Sequence, residues 1–280
     1  MLDFLGIGAQ KSGTTWLYFN LIRHPGLFLP SGIKELHFWD AQRDKGMDWY
    51  LSHFRDRPEG KPAGEITPAY AILDPEVIAT IHAAFPALKL IYLMRNPVHR
   101  AWSSAMMALG RAEMMPQEAS DMWFIDHFHS QGSTRRGDYE TCLRNWFAVY
   151  PRERFLILPF DEIIEDPQAV LKKCAVHLEV DPAFFDSVPE EELRRAHFPG
   201  LGHSIRPSLH AHLVAQYTPR IRSLETFLGM DFSRWHRQNG MLLEEPAPEP
   251  ALLPAPAPRP GLLKRLKATL IPSRPRQSEA

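Results

Sequence analysis

The segment Leu2-Asp3-Phe4-Leu5-Gly6-Ile7-Gly8-Ala9-Gln10-Lys11-Ser12-Gly13-Thr14-Thr15-Trp16 constrains the fold more than any other. An apolar run breaks into a glycine-bounded turn and resumes as a helix-compatible stretch. Leu2 to Gly8 has the length and apolarity of a fully buried strand, Ala9 to Gly13 is a tight loop, and Thr14 to about Arg23 is predicted to be helical. A strand, loop and helix in this order bring exposed backbone N–H groups and the positive end of a helix dipole to the strand's carboxyl end. That is a ready-made anion site.

The rest of the chain repeats the alternation. Gly64-Glu65-Ile66 and Leu88 to Met94 are predicted to be short buried strands, the second after a helix from Pro75 to Phe85. Pro97 suits the first position of a new helix. Tyr139 to Tyr150 places Leu143, Trp146, Phe147 and Tyr150 at helical spacing, Phe155 to Leu158 is strand-like, and a further helix runs from Pro167 to about His177. Such alternation predicts an α/β fold: a P-loop-like three-layer α/β/α domain with a central, mostly parallel sheet and helices on both faces. The 280 residues, 44% of them hydrophobic, suffice for one large core and would be cramped as two domains.

That domain is expected over residues 1–240. Nine of the 26 prolines fall in residues 241–280, interleaved with Ala, Glu and Arg, a composition expected to give a disordered tail. Within it, Gly261 to Lys267 has the pattern of a short basic amphipathic helix able to touch a membrane surface or a partner, but the run is short for an isolated helix and a solvated tail is the favoured reading.

With 32 basic against 33 acidic residues, no global field favours nucleic acid, so any anion site must be local. Two cysteines are too few for a disulfide scaffold and fit a reducing compartment. Leu2 to Gly8 is too short for a signal peptide core or a membrane span, so a cytoplasmic protein is expected. The 13 histidines include no H-E-x-x-H spacing, and His127-Phe128-His129 is read as a surface pair, so no metal is expected.

In the loop, glycines let the backbone wrap an anion, Lys11 supplies a point charge, and Ser12, Thr14 and Thr15 supply hydroxyl donors. Gly8 and Gly13 match the nucleoside-triphosphatase pattern G-x-x-x-x-G-K-[ST], but Thr14-Thr15 stands where Lys-Ser/Thr would reach terminal phosphates and magnesium. Triphosphate hydrolysis is thereby disfavoured. A small-molecule kinase or other nucleoside-triphosphate enzyme, and a nucleotide-binding module without turnover, stay open as alternatives. A second anion site is expected where the strand ending at Met94 delivers Arg95, with Ser103 on the helix begun at Pro97.

Three strings carry a family resemblance. Gln10 to Trp16 resembles the 5′-phosphosulfate loop of sulfotransferases that use 3′-phosphoadenosine 5′-phosphosulfate (PAPS). Arg95-Asn96-Pro97, with Ser103 eight residues after the arginine, resembles their 3′-phosphate site. Ile33-Lys34-Glu35-Leu36-His37-Phe38-Trp39-Asp40 resembles the K-E-x-H-F-[FW] segment of Golgi-type carbohydrate sulfotransferases, especially those acting on heparan sulfate. The likeness covers roughly residues 4 to 235.

It implies PAPS as donor and 3′,5′-diphosphoadenosine (PAP) as product. Lys11, Ser12, Gly13, Thr14, Thr15, Trp16, Arg95 and Ser103 would bind the nucleotide. Glu35 would be the general base, with His37 a supporting group and second choice, and Lys11 would stabilise the leaving phosphate. The two candidate bases share a face if their segment is extended. The implied acceptor is a hydroxyl, less readily an amine, of a small molecule, glycolipid or saccharide. The chain departs from the family at Ile66, where the heparan-type E-K-[TS]-P-x-Y string has a lysine, and at Gly200 to Arg206, which keeps a K-G-R-like loop poorly and offers His203 or Arg206 as substitutes. The five methionines between Met106 and Met122 are read either as an adaptable acceptor surface or as core filling.

Overall fold

A computed structural model describes residues 2–195 and 204–240. The expected tail, including Gly261 to Lys267, lies outside the described residues, as does His203. Strands β1 (Phe4–Gly8), β2 (Gly64–Ile66), β3 (Lys89–Met94) and β4 (Phe155–Pro159) form one sheet in the order β2-β1-β3-β4. Every neighbouring pair is parallel, so the expected "mostly parallel" sheet is wholly so among the described strands.

The helices, in chain order, are α1 (Thr14–Leu21), α2 (Phe38–Ala41), α3 (Met47–Ser52), α4 (Pro75–Ala84), α5 (Pro97–Arg111), α6 (Asp121–His129) and α7 (Gln131–Gly137). They continue as α8 (Tyr139–Phe147), α9 (Phe160–Glu165), α10 (Pro167–His177), α11 (Glu190–Leu193), α12 (Pro207–Leu228) and α13 (Ser233–Gly240). Proline opens α4, α5, α10 and α12, where its fixed φ suits the helix and its missing N–H loses no bond. Helix α8 stops at Phe147, short of the expected Tyr150, as the chain approaches Pro151, whose ring disfavours a helical residue before it.

Side chains alternate across the strands and so build two cores. Leu5, Ile7, Leu90, Tyr92 and Met94 pack with Ile78 and Ile81 of α4, Val98 and Ala101 of α5, Trp146 of α8 and Tyr217 of α12. On the opposite face Phe4, Ile66, Ile91, Leu93 and Leu158 pack with Trp16 and Leu17 of α1 and Leu171 and Cys174 of α10. This is the expected α/β/α sandwich. Because β1 and β3 are adjacent and parallel, their carboxyl ends open on the same edge, the usual ligand edge of such sheets. No helix among the described residues is long and apolar enough to cross a membrane.

Candidate active site

β1 delivers the loop. Gly8 closes the strand where a Cβ would stand 2.8 Å from both Ala71 Cβ and the Tyr92 ring, so only glycine fits. The Ala9 N–H donates to Leu93 O at 2.7 Å, tying the turn back to β3. Lys11 is held at φ 69 and Gly13 at φ 90. A side chain at Gly13 would in addition press within 3.0 Å of the Phe160 ring. Gly13 is the N-cap residue of α1 and provides no side-chain bond, so the first amides of the helix face outward for an anion.

Ser12 is fully buried, and its hydroxyl has no hydrogen bond of normal geometry although it lies beside the Tyr139 phenol. Thr14 is buried and Thr15 half-buried. Trp16 points elsewhere: its indole N–H donates to Leu193 O at 2.5 Å within the opposite core, which leaves only its backbone at the helix start.

β3 delivers the second corner. The Arg95 guanidinium lies 4.7 Å over the Phe160 ring, and its carbonyl accepts from Tyr139 OH at 2.7 Å. Asn96 is buried and caps α5, its side-chain oxygen accepting from Val98 N–H at 3.1 Å. Its side-chain amide donates to Asn239 Oδ1 at 2.8 Å and Gln238 Oε1 at 3.0 Å, so α13 braces this corner. Ser103 follows two turns along α5 and is half-buried.

Lys11 and Arg95 sense each other. Burial first, then the positive charges of Arg95, Arg111 and Lys34, hold the Lys11 ammonium below its ordinary pKa, with Glu35 acting the other way. An excess of cations around one loop is the electrostatic signature of an anion site.

The third string differs locally from the conditional extended reading, yet it brings the two candidate bases together. Ile33 to His37 is irregular rather than extended, because the place beside β1 is taken by β2. Glu35 and His37 meet nonetheless, since His37 turns at φ 52 as the N-cap residue of α2. Its Nε2 lies 3.1 Å from Glu35 Oε2 and its Nδ1 lies 2.9 Å from Asp40 Oδ2. Lys34 forms an ion pair with the other Glu35 oxygen. Burial alone would raise the Glu35 pKa, but the His37 hydrogen bond and the Lys34 charge outweigh it and hold the carboxyl at about 2. Hydrogen bonds to Asp40 and Glu35 raise His37 to about 10 against the effect of burial. These shifts favour an ionised Glu35 beside a protonated His37 at neutral pH.

Several contributors were not read from the sequence. Arg111 ends α5 and adds its charge to Lys11, while Arg136 of α7 is coupled to Asp40 and Arg111. Lone arginines at helix ends give no sequence signal of this kind. The Tyr139 and Asn239 braces are equally silent, being contacts across 44 and 143 residues.

Other expectations resolve as follows. Ile66 is fully buried in the core, so β2 offers no polar group there. The Arg206 guanidinium bonds Asp121 at 2.5 Å and the carbonyls of Pro116 and Ala119 at 2.6 and 2.8 Å, which commits it to the start of α6. Met106 fills core, while Met115 and Met122 are exposed, so the methionines do not act as one surface. His127 contacts Ser104 at 3.2 Å and His129 contacts His212 at 2.9 Å. No group of three or more His, Cys, Asp or Glu among the described residues is placed to hold a metal.

Residues 2–198, which contain the loop, the Arg95 corner and Glu35, match the family described as "Sulfotransferase domain". The chain belongs to that family. Among curated relatives, this sulfotransferase domain is 30% identical over 168 residues to mouse heparan sulfate glucosamine 3-O-sulfotransferase 6, covering 58% of this chain and 47% of the relative. It is 26% identical over 194 residues to the human bifunctional heparan sulfate N-deacetylase/N-sulfotransferase 2, covering 64% of this chain and 22% of the relative.

The chain thus spans less than half the length of these relatives. Among solved structures, a sulfotransferase from Alicyclobacillus acidocaldarius superposes with TM-score 0.66 at 24% identity, over 85% of this chain and 99% of that one. Mouse sulfotransferase SULT7A1 complexed with PAP superposes with TM-score 0.52 at 18% identity, over 79% of this chain and 84% of that one. These likenesses establish the sulfotransferase fold.

Proposed function

We propose that this sulfotransferase domain moves a sulfuryl group from PAPS to an acceptor hydroxyl, on a saccharide or a small molecule. The observation that carries the reading is the ionised Glu35, held by Lys34 and His37, within electrostatic reach of Lys11 in the glycine loop. The site fits the donor chemically. The buried Ser12 hydroxyl lacks a regular partner, the start of α1 has no side-chain cap, and cations crowd Lys11. Lys11, Ser12, Thr14, Thr15 and the amides from Gly13 to Trp16 would hold the 5′-phosphosulfate, and Arg95 with Ser103 the 3′-phosphate.

The donor supplies an activated sulfuryl group, and the protein supplies position and charge. As the acceptor oxygen bonds to sulfur and the bond from sulfur to the bridging oxygen breaks, the acceptor proton passes to Glu35, leaving PAP and a sulfate ester. The acceptor hydroxyl becomes acidic only as its bond to sulfur forms, so a carboxylate of low basicity serves. Lys11 neutralises charge that grows on the leaving phosphate, where a preplaced cation acts most strongly.

Arg111 lies within electrostatic reach of Lys11, and Arg136 within reach of Asp40 and Arg111, so both would add positive charge near the reacting groups. Calorimetry with PAP against ATP and magnesium tests the donor, and preference for the latter would replace this reading with a kinase. Incubation with labelled PAPS and a saccharide and metabolite extract, followed by mass spectrometry, identifies the sulfated product.

A further inference from the structure

The segment that carries the base lacks support of its own. Helix α2 is only four residues long, and its N-cap residue, His37, makes no side-chain capping bond. The amides at its start are satisfied from the turn that follows β2 instead. The His37 N–H donates to Thr67 Oγ1 at 3.5 Å, the Phe38 N–H to Tyr70 OH at 3.0 Å, and the Trp39 N–H to Tyr70 OH at 3.5 Å.

A hydroxyl has one proton, and here both hydroxyls have given theirs away. Thr67 donates to Glu65 Oε2 at 2.6 Å and Tyr70 donates to Glu65 Oε1 at 2.8 Å. Their lone pairs are therefore turned toward the amides, which can only donate. Glu65 is 1% exposed and takes a third hydroxyl, Tyr50 OH, at 2.9 Å. A buried carboxyl group bonded to hydroxyls that accept in turn from amides forms a polarised chain; burial raises the Glu65 pKa, against the hydroxyl bonds and a bond from the Leu36 backbone, which lower it. Glu65 also pairs in register with Leu5 of β1, the strand that delivers the Lys11 loop.

We propose that Glu65 is a positioning residue which, through Thr67 and Tyr70, caps α2 at a distance and so fixes the Glu35–His37–Asp40 cluster relative to the β1 loop. It touches no reacting atom. Its value for catalysis rests on the assignment of Glu35 as base, whereas its effect on geometry does not.

The test reads that geometry directly and needs no acceptor. The His37 imidazole is titrated by NMR and amide exchange is followed at His37 to Trp39 in the full chain, with PAP affinity and melting temperature as controls. Tyr70→Phe and Glu65→Gln should lower the His37 midpoint from about 10 and speed exchange at these amides about tenfold. PAP affinity should stay within about twofold. Tyr50→Phe keeps the ring stacked on Phe38 and removes an equally buried bond to the same carboxyl group but none to an α2 backbone amide, so it should move both readouts far less than Tyr70→Phe. Thr67→Ser should behave as wild type and Thr67→Val as Tyr70→Phe.

Equal effects of Tyr50→Phe and Tyr70→Phe, or an unmoved His37 midpoint in folded Tyr70→Phe, would overturn the proposal. Should Glu65→Gln fail to fold, the Tyr70 and Thr67 variants decide. Turnover surviving in Glu35→Gln would sink the base assignment while leaving these titration results in force.

Discussion

Glu35 keeps its charge because Lys34 and His37 stabilise the carboxylate more than burial opposes it. On the proposed mechanism, replacing it by Gln keeps the shape and removes the proton acceptor. Turnover of labelled PAPS should fall about 10²- to 10⁴-fold, the usual worth of a general base, while PAP affinity measured by calorimetry stays within about twofold. Lys11→Ala should lose about 10²- to 10³-fold in turnover and weaken PAP as well, since the cation meets both the nucleotide and the developing charge.

The pH dependence of stability follows from the same cluster. Glu35 is depressed in the folded state, so its contribution is present above pH 4.5 and is lost as pH falls toward 2. His37 is raised from 6.5 to about 10, so its contribution is complete below pH 6.5 and is lost as pH climbs through 10. The cluster therefore stabilises most between pH 4.5 and 6.5. Urea midpoints of wild type and His37→Gln should converge as pH rises from 6.5 to 10, and a constant difference over that range would contradict the ion-pair geometry.

The glycine loop works as an element because its backbone takes angles that side chains resist. Gly13→Ala would force φ 90 on an alanine and press its Cβ to 3.0 Å from Phe160, at about 1–2 kcal/mol for the dihedral alone. A lower melting temperature and PAP affinity weakened about tenfold are the expected readings, because the same residue sets the start of α1. This loop was legible in the sequence, as were all four strands: buried parallel strands are short apolar runs, and Gly8 to Gly13 announces both a turn and an anion.

Ile33 to His37 was not legible as a shape. Its apolar residues suggested an extended strand, yet sheet neighbours are chosen by pairing partners far along the chain, and β2 occupies the edge beside β1. What brings Glu35 and His37 together is a left-handed turn braced by Thr67 and Tyr70, 30 and 32 residues away. Local periodicity carries no record of such contacts. That Glu35 and His37 lie side by side could be anticipated from the string even though its conformation could not.

At the scale of the whole molecule, the last helix of the described residues closes on the first half of the chain at one corner of the sheet. Helix α13 reaches Arg95 from two sides. Asn239 and Gln238 hold the Asn96 side chain, and Asp161, beside the Phe160 ring that lies under Arg95, accepts from Trp235 Nε1 at 2.7 Å and Gln238 Nε2 at 2.9 Å. An arginine proposed to grip a phosphate would gain from such bracing, because each rotamer fixed beforehand is freedom that binding need not remove. Asn239→Ala removes the shorter of the two Asn96 contacts without touching the anion site itself. A loss of about 1 kcal/mol, the net value of one buried hydrogen bond, corresponds to PAP affinity about fivefold weaker by calorimetry. The binding of inorganic pyrophosphate, which has no 3′-phosphate to present to Arg95, should be unchanged. If PAP affinity holds while only the melting temperature drops, α13 packs against the domain without organising its nucleotide corner.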